Sequence, residues 1–327
     1  MSTLITGGAG FIGSHLAEIM SQRISAAGAN ESIVCLDNFN DYYDPALKYA
    51  NATRIGAMPH VEVIEGDFCD QDAMSALFAE RKFRHVVHLG AYAGVRISVE
   101  QPFLYQQNNV GGTLSLLEAA RQHPVDRFLI ASSSTVYGNG AAIPFEEDAP
   151  LGIPASPYGA TKRAAELLGF TYHALHGVPV VSLRPFSVYG PGLRPDLALT
   201  IFTAAIESNR PLPLFGDGSV RRDFTHVRDI CDGLISALTA ENAVGQAINL
   251  GHSEPVEMRE IIRMIEDSLG RKANIQQLPS RPEDLPVTFA SLEKARRILG
   301  YEPKVPIAEG IREFCDWYCD WHGRQAG

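Results

Sequence analysis

A tyrosine and a lysine four residues apart could act together as a general base. Tyr158 and Lys162 lie in the segment Ser156-Pro157-Tyr158-Gly-Ala-Thr-Lys162. Ser156 is a favourable N-cap and Pro157 a favourable first helical residue, so a helix is predicted to begin here. Because residues at this spacing share one helix face, we expect the ammonium and the helix N-terminus to lower the pKa of the phenol from about 10 towards neutrality. By itself the pair is weak evidence, since most such pairs are a packed ring beside a solvent-exposed lysine.

The N-terminal segment has the pattern of a phosphate-binding turn. A predicted strand, Ser2–Thr6, runs into Gly7-Gly-Ala-Gly10-Phe-Ile-Gly13, and a helical pattern follows. Gly7 would allow the tight turn, Gly10 would let the backbone approach a pyrophosphate, and Gly13 would let the helix pack close to the strand. Strand, glycine turn and helix are the context of a dinucleotide-binding fingerprint, here one residue longer than the commonest spacing. The alternative is an ordinary glycine-rich loop.

An acidic residue ends the second predicted strand, Ser32–Asp37. A carboxylate at this place can accept hydrogen bonds from both ribose hydroxyls of an adenosine and would repel a 2′-phosphate. Asp37 therefore predicts NAD rather than NADP as the cofactor. The alternative is a solvated loop aspartate.

Strands and helices alternate along the first half of the chain. The further strands are predicted at Val61–Glu65, His85–Leu89, Arg127–Ser132 and Val178–Leu183, and the helices between them at Asp70–Arg81, Phe103–Gln122 and Pro157–His176. This alternation predicts an α/β fold with a doubly wound, Rossmann-type parallel sheet. Ligands of such sheets bind at the carboxyl ends of the strands, where the motifs above lie.

The pattern changes after residue 184, where prolines, glycines and shorter helices predict a smaller α/β C-terminal lobe that binds substrate. The helices are expected at Leu197–Glu207 and Val256–Leu269. We expect residues 1–184 to form the NAD-binding domain and residues 185–327 to be mainly the substrate-binding domain. Residues 226–252, with a strand at Ala247–Leu250, should return to the first domain.

Composition excludes several other classes of protein. The net charge of −10 argues against a nucleic-acid surface, although a few local arginines could still hold a phosphorylated ligand. The five cysteines include no Cys-x-x-Cys pair and no metal-binding spacing, which favours a reducing compartment such as the cytoplasm and no metal site. A first strand at residue 2 leaves no room for a cleaved signal, and no apolar run approaches the roughly 20 residues of a membrane span.

Taken together, the motifs resemble the extended short-chain dehydrogenase/reductase family of nucleotide-sugar epimerases, dehydratases and decarboxylases. The resemblance runs from residue 2 to about residue 318. It is carried by the glycine turn, Ser132-Ser-Ser-Thr-Val-Tyr-Gly138, Tyr158-x-x-x-Lys162 and Arg222-Asp-Phe-Thr. Within the family, the branch of UDP-glucuronate 4-epimerases looks most similar. The segments responsible are 37–48, 88–96 and 188–191.

Single positions separate the sister activities that the resemblance leaves open. Dehydratases carry Thr-Asp-Glu where this chain has Ser133-Ser134-Thr135, and decarboxylases carry a glutamate in place of Thr135. UDP-glucose 4-epimerases have an asparagine in place of Ser187. UDP-glucose or UDP-N-acetylglucosamine epimerisation remains the first alternative, followed by decarboxylation or dehydration. Arg184-Pro185 departs from the usual Arg-Phe and leaves the sugar less certain.

Two further classes are less consistent with the sequence. A non-catalytic NAD-sensing regulator would not need Tyr158, Lys162 and the hydroxyl run. A simple NADP-dependent reductase would not need the second lobe with its arginines, or Asp37.

The resemblance implies NAD-dependent epimerisation at C4 of a UDP-sugar, UDP-glucuronate to UDP-galacturonate, through a transient 4-keto intermediate. Tyr158 would be the base, Lys162 would support it, and Ser133 and Thr135 would hydrogen-bond the sugar near C4. The expected NAD contacts are Gly7, Gly10, Phe11, Ile12, Gly13, Asp37, Asn38, Asp67, Phe68, Leu89, Gly90, Ala91, Tyr158 and Lys162. The expected substrate contacts are Ser133, Ser134, Thr135, Ser187, Arg194, Arg222 and Arg281.

The resemblance also implies a homodimer in which two helices of each subunit form a four-helix bundle. These helices carry more apolar residues than one buried stripe requires: Leu114, Leu116, Leu117, Leu167, Leu168, Phe170 and Tyr172. His88 and Asn109 are expected to have structural roles.

Overall fold

The computed structural model describes residues 2–280 and 285–325. Its centre is a parallel sheet in the order β10-β6-β5-β4-β1-β2-β3. These strands are β1 Ser2–Thr6, β2 Ser32–Asp37, β3 Val61–Glu65, β4 His85–His88, β5 Arg127–Ala131, β6 Val180–Pro185 and β10 Ala247–Leu250. The doubly wound α/β class is therefore confirmed.

Helices cover both faces of this sheet. Because successive side chains of a strand point to opposite faces, each strand contributes to two cores. Ile5 and Leu129 pack into one core, on the side of α1 and α9, whereas Leu4 and Phe128 pack into a second core on the side of α3, α6 and α7. The α-helices are α1 Phe11–Ala27, α2 Ala46–Gly56, α3 Gln71–Arg81, α4 Val95–Glu100, α5 Pro102–Tyr105, α6 Thr113–Gln122, α7 Pro157–His176, α8 Ala198–Glu207, α9 Val227–Thr239, α10 Met258–Leu269, α11 Glu293–Leu299 and α12 Ile307–Gln325.

The remaining strands form two small sheets. In one, β9 pairs with β7, β11 and β13, and in the other β8 pairs with β12. Their bounds are β7 Ser187–Tyr189, β8 Pro211–Phe215, β9 Arg221–His226, β11 Pro255–Glu257, β12 Asn274–Leu278 and β13 Val287–Thr288. The chain returns from these sheets to the central one through α9 and β10, which pairs with β6.

The predicted helical stretch Phe103–Gln122 is helical throughout, but it is not one regular α-helix. The chain forms α5, then a π-helix at Gln106–Gly112, and only then α6. Gly112 lies so close to the Phe68 ring that an added Cβ would come within 2.3 Å of it. The wider turn lets the backbone pass that ring, which an apolar pattern along the chain does not reveal. The helices α2 and α9 were not predicted either.

Some of the apolar residues on α6 and α7 that were expected at a dimer interface are buried within the chain instead. Leu116 and Leu117 are fully buried in the core of the single chain, so they are not available to a partner. The exposed apolar residues in this part of the chain include Phe103 (84% exposed), Leu114, Leu167 and Leu175. Periodicity alone could not distinguish these groups, because α6 packs against both α3 and α7.

Candidate active site

The glycine turn after β1 is fixed by backbone contacts. Gly7 has a φ of +67°, and the Gly10 N–H donates to the Gly7 carbonyl oxygen at 3.0 Å. A Cβ on Gly13 would lie 2.2 Å from the same oxygen, so only glycine lets α1 pass so close to β1. Gly10 caps α1 without a side-chain hydrogen bond, and the first turn has no acidic residue. The first turn of α1 therefore suits an anionic group such as a pyrophosphate.

Asp37 lies beside this turn at the end of β2. Its Oδ2 accepts the N–H of Ala9 at 3.1 Å and its Oδ1 accepts that of Phe39 at 3.0 Å. Burial raises the pKa of the carboxyl, while the Lys48 ammonium opposes that shift. Asn38 follows, and its side-chain oxygen accepts hydrogen bonds from Asn40. The acid is therefore built into the loop beside the predicted pyrophosphate position, where its remaining lone pairs suit ribose hydroxyls.

Two neighbouring strand ends complete the cofactor side of the candidate site. Asp67 and Phe68 follow β3, and Leu89, Gly90 and Ala91 follow β4. Gly90 N–H donates to Thr6 Oγ1 at 3.2 Å, and a Cβ on Gly7 would come within 2.9 Å of the Gly90 backbone. The Phe68 ring meets the His88 ring edge to face at 5.2 Å. Phe11 and Ile12 open α1 at the same edge.

The helix that carries Tyr158 and Lys162 begins as predicted. Ser156 Oγ accepts the Gly159 N–H at 3.2 Å, and Pro157 is the first helical residue. Lys162 donates from Nζ to the carbonyl oxygen of Ala131, at the end of β5, at 2.7 Å.

The predicted lowering of the Tyr158 pKa is wrong for the chain as described. Burial raises the pKa of this phenol, a hydrogen bond with Ser133 and the charge of Arg194 lower it, and the Tyr42 phenol raises it further. Burial also lowers the pKa of Lys162 to about 8, with Glu166 opposing. Helical spacing could not show that the fold half-buries the phenol or that the ammonium donates to a carbonyl oxygen.

The hydroxyl run lies at the end of β5, beside this helix. Ser133 Oγ accepts hydrogen bonds from the Thr135 N–H at 3.2 Å and the Thr135 hydroxyl at 3.0 Å. Ser134 begins a short 3₁₀ turn, Ser134–Tyr137. Since Ser133 is also close enough to lower the pKa of the Tyr158 phenol, the structure brings Tyr158, Ser133 and Thr135 into one polar cluster.

Arg194 reaches the same cluster from the second lobe. Its guanidinium forms a two-pronged ion pair with Asp196 (2.9 and 2.8 Å), lies 5.5 Å from the centroid of the Tyr42 ring, and acts electrostatically on Tyr158. The contribution of Tyr42 was not recognised from the sequence. The segment 37–48, which carried the family resemblance, was the only available signal. An aromatic chain continues from Tyr42 through Tyr92 and Tyr105 to Tyr158.

The other predicted substrate residues are less closely connected to this cluster. Ser187 begins β7. Arg222, on β9, donates from Nη1 to the carbonyl oxygens of Leu285 (2.8 Å) and Arg221 (2.9 Å). Arg281 lies outside the described residues. The contacts therefore join Arg194 to Tyr158 but give no such link for Arg222 within the described ranges.

The contacts of His88 and Asn109 are consistent with the structural roles expected for them. His88 contacts Thr6 Oγ1 at 2.7 Å and Thr113 Oγ1 at 3.0 Å, and burial lowers its pKa to about 3. Asn109 bonds both main-chain groups of Tyr92 and donates to Thr161 Oγ1 at 3.1 Å, so it ties the loop after β4 to α7.

Neither a metal cluster nor a membrane span is found within residues 2–280 and 285–325. No three His, Cys, Asp or Glu side chains there are grouped as metal ligands would be. In the same ranges no helix is long and apolar enough to span a membrane.

A glycine turn, an acid after β2 and a Tyr–Lys pair at the carboxyl edge of a parallel sheet define a dinucleotide-dependent enzyme of the extended short-chain dehydrogenase/reductase class. The family model described as GDP-mannose 4,6 dehydratase matches residues 4–314. The chain belongs to this family, which confirms the resemblance.

Relatives and solved structures with known activities are similar over nearly the whole chain. A UDP-glucuronate 4-epimerase of Thermodesulfobacterium geofontis is 37% identical, covering 96% of this chain and 95% of the relative. The crystal structure of UDP-glucuronic acid 4-epimerase from Bacillus cereus, in complex with UDP-glucuronic acid and NAD, has a TM-score of 0.90 at 36% identity (98% and 100% coverage). A dTDP-glucose 4,6-dehydratase from Streptomyces venezuelae with NAD bound has a TM-score of 0.89 at 29% identity (99% and 98% coverage).

Proposed function

We propose that this protein is an NAD-dependent UDP-glucuronate 4-epimerase that interconverts UDP-glucuronate and UDP-galacturonate. The observation that carries the proposal is the polar cluster of Tyr158, Ser133 and Thr135 with Arg194 beside it. The cluster has a base and hydroxyl groups, but positions 134 and 135 hold no acid–base pair for eliminating water. The similarity to UDP-glucuronate 4-epimerases along nearly the whole chain supports the same assignment.

The residues at the carboxyl edge of the sheet suit NAD. The uncapped N-terminus of α1 would hold the pyrophosphate, and Asp37 would accept hydrogen bonds from the adenosine ribose hydroxyls. Bound NAD supplies a positively charged ring that favours the Tyr158 phenolate, and a centre that takes a hydride from the sugar C4 and returns it. The other contacts are Phe11, Ile12, Asn38, Asp67, Phe68, Leu89, Gly90 and Ala91, with Lys162 on the nicotinamide ribose.

Tyr158 moves the proton of the sugar 4-hydroxyl. As phenolate it removes this proton while bound NAD would accept the C4 hydride, so the O–H and C–H bonds at C4 are replaced by the C=O of a 4-keto sugar. When the other face of the sugar is presented, Tyr158 returns the proton to the oxygen as the hydride returns to C4. Ser133 and Thr135 hydrogen-bond the oxygen at C4 and relay the proton. Lys162 stabilises the phenolate form.

The substrate contacts are assigned from the two anionic groups of the substrate, the sugar carboxylate and the diphosphate. Ser134 and Ser187 place further small hydroxyls around the sugar carboxylate, and Arg194 adds a nearby cation. Arg222 and Arg281 bind the diphosphate, for which guanidinium groups are well suited. A 4-keto glucuronate is a β-keto acid that loses CO2 easily, so the site must hold the carboxylate in the plane of the ketone or reduce the ketone quickly.

The chain is further proposed to act as a homodimer in the cytoplasm. The exposed Phe103, Leu114 and Leu167 support pairing through a four-helix bundle, and the free cysteines favour a reducing compartment. Residues 1–184 with 226–252 are assigned to NAD binding, and most of the remainder to the sugar nucleotide. Light scattering at micromolar concentration tests the dimer, because a fully active monomer would contradict it.

One assay tests the function. The purified enzyme is incubated with UDP-glucuronate, UDP-glucose, UDP-N-acetylglucosamine and dTDP-glucose, and the products are identified by NMR. UDP-galacturonate is the expected product, without a pentose or a 4-keto-6-deoxy sugar. Turnover of UDP-glucose in preference to UDP-glucuronate would favour the alternative epimerase.

The variant Tyr158→Phe tests the mechanism in the same assay. It should keep the fold and NAD binding but lose about 10²-fold or more in turnover, the usual contribution of a general base. Epimerisation near the wild-type rate would show that another group moves the proton.

A further inference from the structure

A buried ion pair joins the helix of Tyr158 and Lys162 to the neighbouring strand. Glu166 lies on α7, one turn beyond Lys162, and its carboxylate accepts hydrogen bonds from Arg184 Nε and Nη2 at 2.9 and 2.8 Å. Ser182 Oγ donates to the same carboxylate at 2.9 Å. The side chains of Arg184 and Glu166 are only 4% and 3% exposed, so water screens neither charge.

Arg184 also contacts the turn that carries the hydroxyl groups. Its guanidinium lies 4.9 Å from the centroid of the ring of Tyr137, the last residue of that turn. The Tyr137 hydroxyl in turn donates to Asn249 Oδ1, on β10, at 2.7 Å. One guanidinium therefore touches α7 through Glu166 and the turn of Ser133 and Thr135 through Tyr137.

The charges that face Lys162 come from three elements. On α7 itself they are Tyr158 and Glu166. On β4, His88 is held neutral, since burial lowers its pKa to about 3. On β6, Arg184 lies beyond Glu166. Glu166 is thus the negative charge that offsets the burial of the ammonium, and Arg184 compensates that negative charge.

We propose that Glu166 and Arg184 are positioning residues that together set the charge state of Lys162 and hold the hydroxyl turn against α7. The link to catalysis rests on the proposed function, but the charge balance is a property of the chain itself. The Glu166 carboxylate stabilises the Lys162 ammonium, and the Arg184 guanidinium limits this stabilisation. Removing the Glu166 charge should therefore lower the pKa of Lys162, whereas removing the Arg184 charge should raise it.

The test uses the NAD-loaded protein, labelled with 13C at lysine Cε. The Lys162 resonance is assigned by its loss in Lys162→Met and followed as a function of pH. Glu166→Gln leaves an uncompensated guanidinium and should lower the Lys162 midpoint by about 2 pH units, the scale of a unit charge roughly a helical turn away at an effective dielectric of about 20. Arg184→Gln should raise the midpoint. The double variant should return it to the wild-type position.

Arg184→Lys is the matched control, since it keeps the positive charge and should leave the midpoint unchanged. Because breaking a buried pair destabilises proteins strongly, thermal unfolding is recorded for every variant. If Glu166→Gln does not fold, Arg184→Gln decides on its own. Unchanged midpoints in folded single variants, or shifts of the same sign, would overturn the proposal.

The pH profile of kcat/KM separates this proposal from the proposed function. If Tyr158 and Lys162 form the base, the acid-side midpoint of the profile should move with the NMR midpoint. Shifts of the Lys162 resonance without any shift of the profile would support the charge balance but contradict the assigned base. Matching shifts would support both.

Discussion

The cofactor side and the substrate side of the candidate active site are built by different means. On the cofactor side, Gly7 and Gly13 are fixed by backbone contacts, and Asp37 is held by two main-chain N–H groups. On the substrate side, Arg194 is held by the carboxylate of Asp196 and lies over the Tyr42 ring, which comes from the cofactor side. A backbone site tolerates almost no added atom, whereas a site of ion pairs can be adjusted by exchanging side chains. The difference predicts that substitutions on the two sides have effects of different kind and size.

The largest effect should come from Gly13→Ala. Its new Cβ would lie 2.2 Å from the Gly7 carbonyl oxygen, so either α1 or the glycine turn must move. We expect a loss of about 3 kcal/mol or more in the free energy of unfolding, at the upper end for overpacking, and loss of NAD binding. Urea unfolding and calorimetric NAD titration measure both. Gly111→Ala is the control, because a Cβ there meets no atom within 4 Å; equal effects of the two variants would contradict a backbone-defined site.

Low pH should lower the free energy of unfolding through one buried histidine on each side of the site. Burial lowers the pKa of His88, on the cofactor side, and of His226, beyond Arg222 on β9, to about 3. Each stays neutral when folded but takes up a proton when unfolded, so its contribution to stability is lost as pH falls from about 6.5 towards 3, at up to about 1.4 kcal/mol per pH unit.

Replacing each histidine isolates its contribution to the pH dependence of stability. The gap in the free energy of unfolding between wild type and His88→Gln should narrow as pH falls below about 6.5, and that for His226→Gln should do the same. Denaturant titrations at a series of pH values measure the gaps, with the exposed His176→Gln as control. A gap that stays constant with pH would show that the histidine is not held neutral.

An intermediate effect is expected for Asp37→Ala. The loss leaves the ribose hydroxyls and two main-chain N–H groups without their acceptor, so NAD binding should weaken by about 1–3 kcal/mol. Calorimetric titration with NAD and NADP measures it, and the preference for NAD over NADP should fall at the same time. Wild-type protein that binds NADP more tightly than NAD would contradict the role given to this acid.

The smallest effect is expected for Asp196→Asn on the substrate side. Arg194 would keep its position over Tyr42 but lose its two-pronged partner, so the KM for the sugar nucleotide should rise by a few-fold, on the order of 1 kcal/mol for one partly exposed ion pair. NAD affinity should not change. Steady-state kinetics measure the KM and calorimetry measures the NAD affinity. A loss of NAD affinity would mean that the substrate side and the cofactor side do not act independently.

Much of the cofactor side could be predicted because its signals are local. The bounds of β1 and α7 are those predicted, since a glycine turn, an N-cap serine and a first-turn proline each act within a few residues. Asp37 lies beside the glycine turn as expected. The assigned contacts of these residues with NAD stay predictions.

The rest depended on contacts between distant parts of the chain. The Tyr158 pKa was predicted in the wrong direction because burial and the Ala131 carbonyl oxygen are supplied by the folded sheet. Arg184 was named only beside Pro185, which departs from a family motif, and its partner Glu166 could not be identified without the structure. Arg194 was named from the sequence as a candidate substrate contact, which stays a prediction, but Tyr42, 152 positions earlier in the sequence, was not named.

The π-helix Gln106–Gly112 has a consequence for insertions and deletions. A π-turn holds one residue more than an α-turn, and each residue of a regular helix advances the chain by about 100°. Deleting one residue here should therefore restore an uninterrupted α-helix and rotate Phe103 by about that angle relative to α6, without touching a catalytic side chain. Among homologues, a length difference of a single residue at this point would mark a change in which side chains the surface presents.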